Sequence, residues 1–502
     1  MEYLLNVAES LRRANPASTA VSGADGSCTY GQLLDNVTRL SSAFRQMGLT
    51  RGDRIGVVLS NTTVHILTYF SITAGGYVVV SLNPKSTAAE ITRAFELTRP
   101  NVVVTEAAAL PQVRQALSAL PYPVRLISDK PVDGVSSVPE LLETTPVGEA
   151  IADMATDDPA SIMFTSGSTG RPKGVVLTHA NVIWAARAKA SRMQPTAQDA
   201  VVLISPLHHT YGQNAVLNAA FSGGAAVVLL DPRRRRQLVA DLAEYGVTAL
   251  PSVPAVFQLL LDLGADKTRL PRLRYALSAA APLPRQVTEE WVRRFGYPLH
   301  EGYGLTETSP CALYNDQQSA APGSLGKPYE GVRTRVIDES GAEVPTGEIG
   351  ELLIAGPNVM RGYFEDPAAT AEAIVDGWLH TGDQVSRDEH GDFWLAGRKK
   401  NIIIVSGANV FPAEVESVLR GHDAVAEAVV VGRPHPVVGE TVVALVQLRE
   451  PDNAEVAVEL RDLCNSELAA YKRPSSIRMI DSIPLLASGK PDLEQLRRLA
   501  LD

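Results

Sequence analysis

Apolar residues recur at helical spacing near the start of the chain, through Leu4, Val7 and Leu11 and again through Leu33, Val37, Leu40 and Phe44, with a short strand between the two stretches. Residues 54–60, 77–82 and 101–105 are short, nearly continuous apolar runs that predict buried strands, separated by helical patterns over 63–76 and 88–98. This alternation predicts a mostly parallel sheet with helices on its faces. From 106 to 158 the periodicity weakens and Pro, Ala and Ser become common, so the stretch reads as connections leading to a core strand at 161–164. Residues 201–205 are largely apolar, a helix is expected near Gln213, and 347–363 reads as β-rich. After residue 400 a separate apolar pattern predicts a helix over 412–419, strands over 425–431 and 440–448, and a helix over 456–468, a small α/β domain of its own.

The chain is too long for a single core, and its 45% hydrophobic content is ample for more than one. A formal charge of -10 gives no sign of a nucleic-acid binder. Cys28, Cys311 and Cys464 are far apart and include no CxxC pair, so neither a disulfide framework nor a structural zinc site is indicated and a reducing setting fits. The amphipathic start lacks the basic opening and apolar core of a signal peptide, and no apolar run approaches the roughly 18 residues of a membrane span. A soluble, cytoplasmic protein is expected.

Between 161 and 178 the sequence SIMFTSGSTGRPKGVVLT runs from an apolar strand through small and hydroxyl residues into a second apolar run. Gly167, Gly170 and Gly174 permit close backbone approach, Thr165, Ser166, Ser168 and Thr169 add hydroxyl donors, and Lys173 adds a mobile charge suited to phosphate. Arg171-Pro172 follows where a Walker loop has Gly-Lys-Ser/Thr, so an ordinary P-loop ATPase is disfavoured. The bland alternative is a flexible Gly/Ser turn. GxSxG, HExxH and a strand-borne GxGxxG are absent from the sequence.

TSGSTGRPKG resembles the phosphate loop of the adenylate-forming superfamily, which includes acyl-CoA synthetases, adenylation domains and luciferases. The resemblance covers nearly the whole chain and implies a large N-terminal domain, 1–399, of mostly parallel sheets with flanking helices and a β-rich subdomain. A small mobile C-terminal α/β lid, 400–502, would carry the catalytic lysine. By the same resemblance, YALSAAAPLP at 275–284 lies along the nucleotide base through Ala279 and Ala280, with Ala279 standing where relatives commonly have Gly. In EGYGLTETSP at 301–310, Glu301, Gly302, Tyr303 and Gly304 would face adenine and substrate, and Thr306 with Glu307 would serve the α-phosphate, Glu307 holding Mg²⁺. Asp383 in GWLHTGD and Arg398 in AGRKKN resemble the ribose contacts, Lys400 the hinge, and Lys490 in ASGKPD the catalytic lysine. PLHHTYG at 206–212 resembles the segment that shields the acyl pocket: His209 would act there, and His208, Tyr211, Asn214 and Gly304 would line the pocket.

Relatives that activate amino acids usually carry an Asp in this segment. Residues 206–221 hold none, which argues for an acid without an α-amino group. The run Arg233 to Arg236 reads either as a solvated helix start or as a contact for acidic groups on coenzyme A or a carrier protein. The function implied is acid activation with ATP and Mg²⁺ through an acyl-AMP, followed by transfer to coenzyme A. Loading of an acyl carrier protein is the nearest alternative, and a luciferase-like oxidoreductase or a silent binding protein lies further off.

Overall fold

Strands Val78–Ser81 and Val102–Thr105 are buried at every residue, the condition of parallel strands covered by helices on both faces. Arg54–Val58 lies between them in a sheet of the computed structural model, which describes residues 6–24, 26–148, 151–165, 173–316, 321–398, 401–405, 408–435, 439–450, 454–468, 470–486 and 491–501. Across that sheet the order is Gly362–Tyr363, Lys173–Thr178, Pro159–Thr165, Val78–Ser81, Arg54–Val58, Val102–Thr105, Arg125–Ser128 and Ser136–Ser137. Its neighbours are parallel except around Lys173–Thr178, which is antiparallel to the strands on both sides.

A second sheet runs Lys327–Pro328, Leu313–Asn315, His300–Tyr303, Tyr275–Ala279, Ala249–Ser252, Ala200–Val202, Ala226–Leu229, Thr19–Gly23 and Gly26–Thr29. Its central strands are parallel, and helices such as Arg285–Phe295 bury an apolar stripe through Val287, Trp291 and Phe295, with Trp291 against Phe257. The expected α/β arrangement is therefore present.

The stretch expected to be mere connection, 106–158, contains helices Leu110–Ser118 and Val138–Thr144 and strand Arg125–Ser128. Two of the prolines that diluted its pattern, Pro111 and Pro139, sit in the first turns of those helices, where a missing N–H costs nothing. Ser137 and Glu140 close a reciprocal cap on the second.

The described residues group into two compact units, Met1–Thr334 with Ile354–Leu379, and Arg335–Leu353 with His380–Asp502. The second unit has its own core, where helix Pro412–Arg420 packs Val415 and Leu419 onto the sheet formed by Val425–His435 and Gly439–Leu448. Strand Ser476–Met479 pairs parallel with Gly439–Leu448 and helix Leu493–Leu501 buries Leu496, two elements not expected from the sequence pattern. No helix among the described residues is long and apolar enough to cross a membrane.

Two buried histidines make the first unit sensitive to acid. His65 Nδ1 lies 3.2 Å from the Ser60 carbonyl and so donates to it, and His179 Nδ1 accepts from the Val7 N–H at 3.2 Å. The His179 ring is thus neutral, and burial above all pushes both histidines down to about 4. The unfolded chain, with imidazoles near 6.5, takes up protons that the fold refuses, so stability present at neutral pH is lost as pH falls from about 6.5 toward 4. At pH 5 each ring is expected to cost about 2 kcal/mol. The urea midpoint should drop between pH 7 and pH 5, and His65→Gln should flatten that slope. An unchanged midpoint across this interval would refute the assignment.

Candidate active site

The hairpin that carries the hydroxyl-rich loop ends with Thr165 opposite Lys173, so both ends of the loop leave the sheet side by side. Its tip, with Ser166, Gly167, Ser168, Thr169 and Gly170, lies outside the described residues. Lys173 Nζ stands 4.7 Å from the centre of the Tyr363 ring, within cation–π range. The Tyr363 hydroxyl donates to Glu307 Oε1 at 3.0 Å. Lys173, Tyr363 and Glu307 therefore form one connected chain joining the two strongest sequence motifs.

That chain has a backbone cause. Thr178 and Asn181 cap helix His179–Met193 reciprocally, which fixes the Asn181 side chain. Its Nδ2 donates to the carbonyls of Pro357 and Val359 at 2.8 and 2.9 Å. The segment so anchored sends the Met360 N–H to the Glu307 carbonyl at 2.9 Å and pairs Tyr363 with Val175 in the sheet.

Burial first, then the Glu307 charge, hold the Tyr363 phenol well above its ordinary range, so it remains a proton donor. The other Glu307 oxygen has no hydrogen-bond partner among the described residues, where no cluster of metal-ligating side chains occurs. A lone open carboxylate suits a hard cation that arrives with phosphate oxygens and keeps several waters, as Mg²⁺ does. Thr306 opens the half-buried 3-10 turn Thr306–Thr308, held by the Leu305 N–H donating to Thr308 Oγ1 at 2.8 Å.

Beside this turn is a cavity of about 320 Å³ including its open mouth, walled by Tyr211, Ala279, Ala280, Gly302, Tyr303 and Gly304 from the expected residues. Lys189, Cys311 and Tyr329 also line it. A Cβ on Gly304 would fall 1.8 Å from the Pro310 carbonyl oxygen, so only glycine fits there. Ala279 stays extended, paired with Gly302. The next residue, Ala280, takes the left-handed conformation at φ 69°, a strain of about 1 kcal/mol or more for a residue with a Cβ. Glu301 Oε1 accepts from the Gly323 N–H at 3.3 Å.

His208, His209 and Asn214 are not among the walls of this cavity. The two histidine rings sit 4.4 Å apart in a turn closed by the His209 N–H on the Pro206 carbonyl. Burial, with the neighbouring His209 and His65, holds His208 far below the usual imidazole range and so neutral. Asn214 is buried and its Nδ2 donates to the Ser309 carbonyl at 3.4 Å. The helix expected near Gln213 begins as a π-helix, Tyr211–Asn218, which turns Tyr211 and Ala215 toward the cavity.

In the second unit Asp383 and Arg398 face each other across antiparallel strands and form an ion pair at 2.8 Å, the carboxylate buried and the guanidinium partly exposed. Lys400 and Lys490 lie outside the described residues. Within the arginine run, Arg234 pairs with Asp241 at 3.0 Å, while Arg235 and Arg236 are exposed in the 3-10 turn Pro232–Gln237.

Sequence reasoning missed Asn181, Tyr363 and Lys189. For Lys189 a signal existed: it continues the apolar stripe Val182, Ala185, Ala186, Met193 of its helix, an unusual place for an ammonium.

The model of the AMP-binding enzyme family matches residues 8–364, and that of the AMP-binding enzyme C-terminal domain matches 414–490. A feruloyl-CoA synthase of an Amycolatopsis species is 32% identical over 492 residues, covering 97% of this chain and 96% of its own. A fatty acid–[acyl-carrier-protein] ligase of Streptomyces coeruleorubidus is 32% identical over 497 residues, covering 96% of this chain and 93% of its own. The solved structure of an anthranilate CoA ligase in complex with anthranoyl-AMP is similar with a TM-score of 0.93 at 26% identity, covering 100% of this chain and 99% of that one.

Proposed function

This chain belongs to the AMP-binding enzyme family, and from that premise we propose that it joins a small carboxylic acid to coenzyme A through an acyl-AMP, with ATP cleaved to AMP and pyrophosphate. The observation that carries this reading is the chain from Lys173 through Tyr363 to Glu307 beside a cavity lined by Gly304. A carboxylate is a poor electrophile because its leaving group would be an oxide. Esterification to AMP supplies a good leaving group that a thiol can displace.

The first step brings two anions together, so catalysis is positioning and charge neutralisation. Lys173 and the hydroxyl-rich loop would hold the departing phosphates, and Tyr363 keeps one Glu307 oxygen occupied while the other stays open. Mg²⁺, when bound there, would supply charge neutralisation at the phosphate oxygens. Lys490 would orient the attacking carboxylate, Asp383 and Arg398 would hold the ribose, and Lys400 would be the hinge between a domain of 1–399 and a lid of 400–502. The lid's rotation would then admit the thiol.

Relatives include both coenzyme A ligases and a carrier-protein ligase. Coenzyme A is the acceptor favoured here, because residues 356–382 carry no insertion of the kind that marks fatty-acyl-AMP ligases. The test is pyrophosphate release from ATP and Mg²⁺ across a panel of carboxylic acids, with and without coenzyme A. Sustained turnover only with coenzyme A supports the reading. A single burst that resumes only on addition of a holo carrier protein replaces it with a loading ligase.

A further inference from the structure

Lys189 is only 2% exposed, yet its ammonium forms no ion pair with any carboxylate among the described residues. Its hydrogen bond goes to the Tyr329 hydroxyl at 2.9 Å, and its other near neighbours are the faces of Tyr314 and Tyr329, 5.6 and 5.5 Å to their centres. One turn on, Arg192 adds a second cation over the Tyr314 ring at 5.2 Å rather than a counter-charge. Because the phenol oxygen of Tyr329 accepts from Lys189, its own proton points elsewhere. The ammonium keeps two further N–H donors. Both groups line the cavity, and the open side of Gly302 faces the ammonium, with a Cβ there 3.5 Å from Nζ.

A buried cation without a counter-charge is costly, and the aromatic faces and the Tyr329 hydroxyl offset only part of that cost. Burial pulls Lys189 below the ordinary lysine value, while its charge is still felt at His300. The described walls of the cavity therefore present a buried ammonium and no carboxylate to match it.

Resting on the ligase reading above, we propose that Lys189, assisted by Tyr329, recognises a second oxyanion on the substrate, and that the acid activated is a compact dianion, a dicarboxylate or a sulfocarboxylate, whose other carboxylate is adenylated.

The experiment compares matched acids, butyrate with succinate, valerate with glutarate and hexanoate with adipate, together with 3-sulfopropionate and monomethyl succinate. Pyrophosphate release gives kcat/KM, and calorimetry gives binding. Wild-type enzyme is expected to favour the best dianion over its matched monoanion by about 100-fold, since an unpaired buried charge carries that order of penalty. The order of glutarate, succinate and 3-sulfopropionate separates carboxylate from sulfonate. Lys189→Met should abolish the preference, lowering kcat/KM for the dianion by about 100-fold more than for its matched monoanion, and Lys189→Arg should restore part of it. Tyr329→Phe, which keeps the ring, should give an intermediate loss that is larger for dianions than for their matched monoanions.

Equal use of monoanions and dianions by the wild type overturns the proposal and leaves the ligase reading standing, as does an equal loss for both in Lys189→Met. Calorimetric binding of a dianion to wild type but not to Lys189→Met, with no pyrophosphate released from any acid, keeps the oxyanion site and removes the ligase reading.

Discussion

Lys490→Ala is expected to lower acid-dependent pyrophosphate release by about 10²- to 10³-fold while leaving ATP binding nearly unchanged. The reacting carboxylate and the α-phosphate are both anionic, so the step needs a positive charge that strengthens its hold as negative charge shifts toward the leaving pyrophosphate. A lysine supplies that charge as a compact, mobile point. ATP is held chiefly elsewhere in this reading, by the loop ending at Lys173 and by the base-facing strand Tyr275–Ala279. The effect should therefore fall on kcat. Lys490→Arg should recover only part of the rate, because a planar fork cannot occupy the place of an ammonium. Near-normal pyrophosphate release by the alanine variant would remove Lys490 from the mechanism.

Glu307→Gln should be nearly as damaging, with a loss of about 10²-fold and a raised Mg²⁺ requirement. The amide oxygen can still accept from Tyr363, so the 3.0 Å contact and the local fold should survive. What is lost is the negative charge on the open oxygen. A titration of pyrophosphate release with Mg²⁺ separates the two consequences: a shifted midpoint marks lost metal affinity, whereas an unchanged midpoint and unchanged rate would make Glu307 a structural acceptor for Tyr363 only. Tyr363→Phe is the complementary control, since it removes the donor and leaves the carboxylate free.

The parts of the fold that were legible in the sequence are those whose burial is written locally. Val78–Ser81 and Val102–Thr105 are apolar at nearly every position because both faces are covered, and their order with intervening helices implies a parallel sheet. The segment 106–158 was misread because Pro111 and Pro139 look like breakers yet stand at helix starts. Helix Leu493–Leu501 was passed over although Leu493, Leu496, Leu499 and Ala500 meet one core cluster. In the candidate site, Tyr211, Gly304 and the Ala279–Ala280 pair were reached through motifs and do line one cavity. Tyr363 could not be read the same way. It arrives by sheet pairing with Val175 and by the reach of Asn181 to Pro357 and Val359, contacts between residues 176 or more apart in the chain. Lys189 was legible in principle, as a charge on an apolar stripe, but periodicity alone does not say whether such a stripe faces a core or a cavity.

The π-helix Tyr211–Asn218 bears on how this pocket can diverge. A wider turn holds one residue more than an α-turn would, so deleting a single residue there could be absorbed by rewinding to ordinary α geometry. The following turn, Ala219–Ser222, would keep its place in the core while Tyr211 rotated away and another side chain took its position on the cavity wall. If this cavity holds the acid as proposed, a one-codon deletion in this segment is a short evolutionary path between acids of different shape, open without rebuilding the sheet beneath.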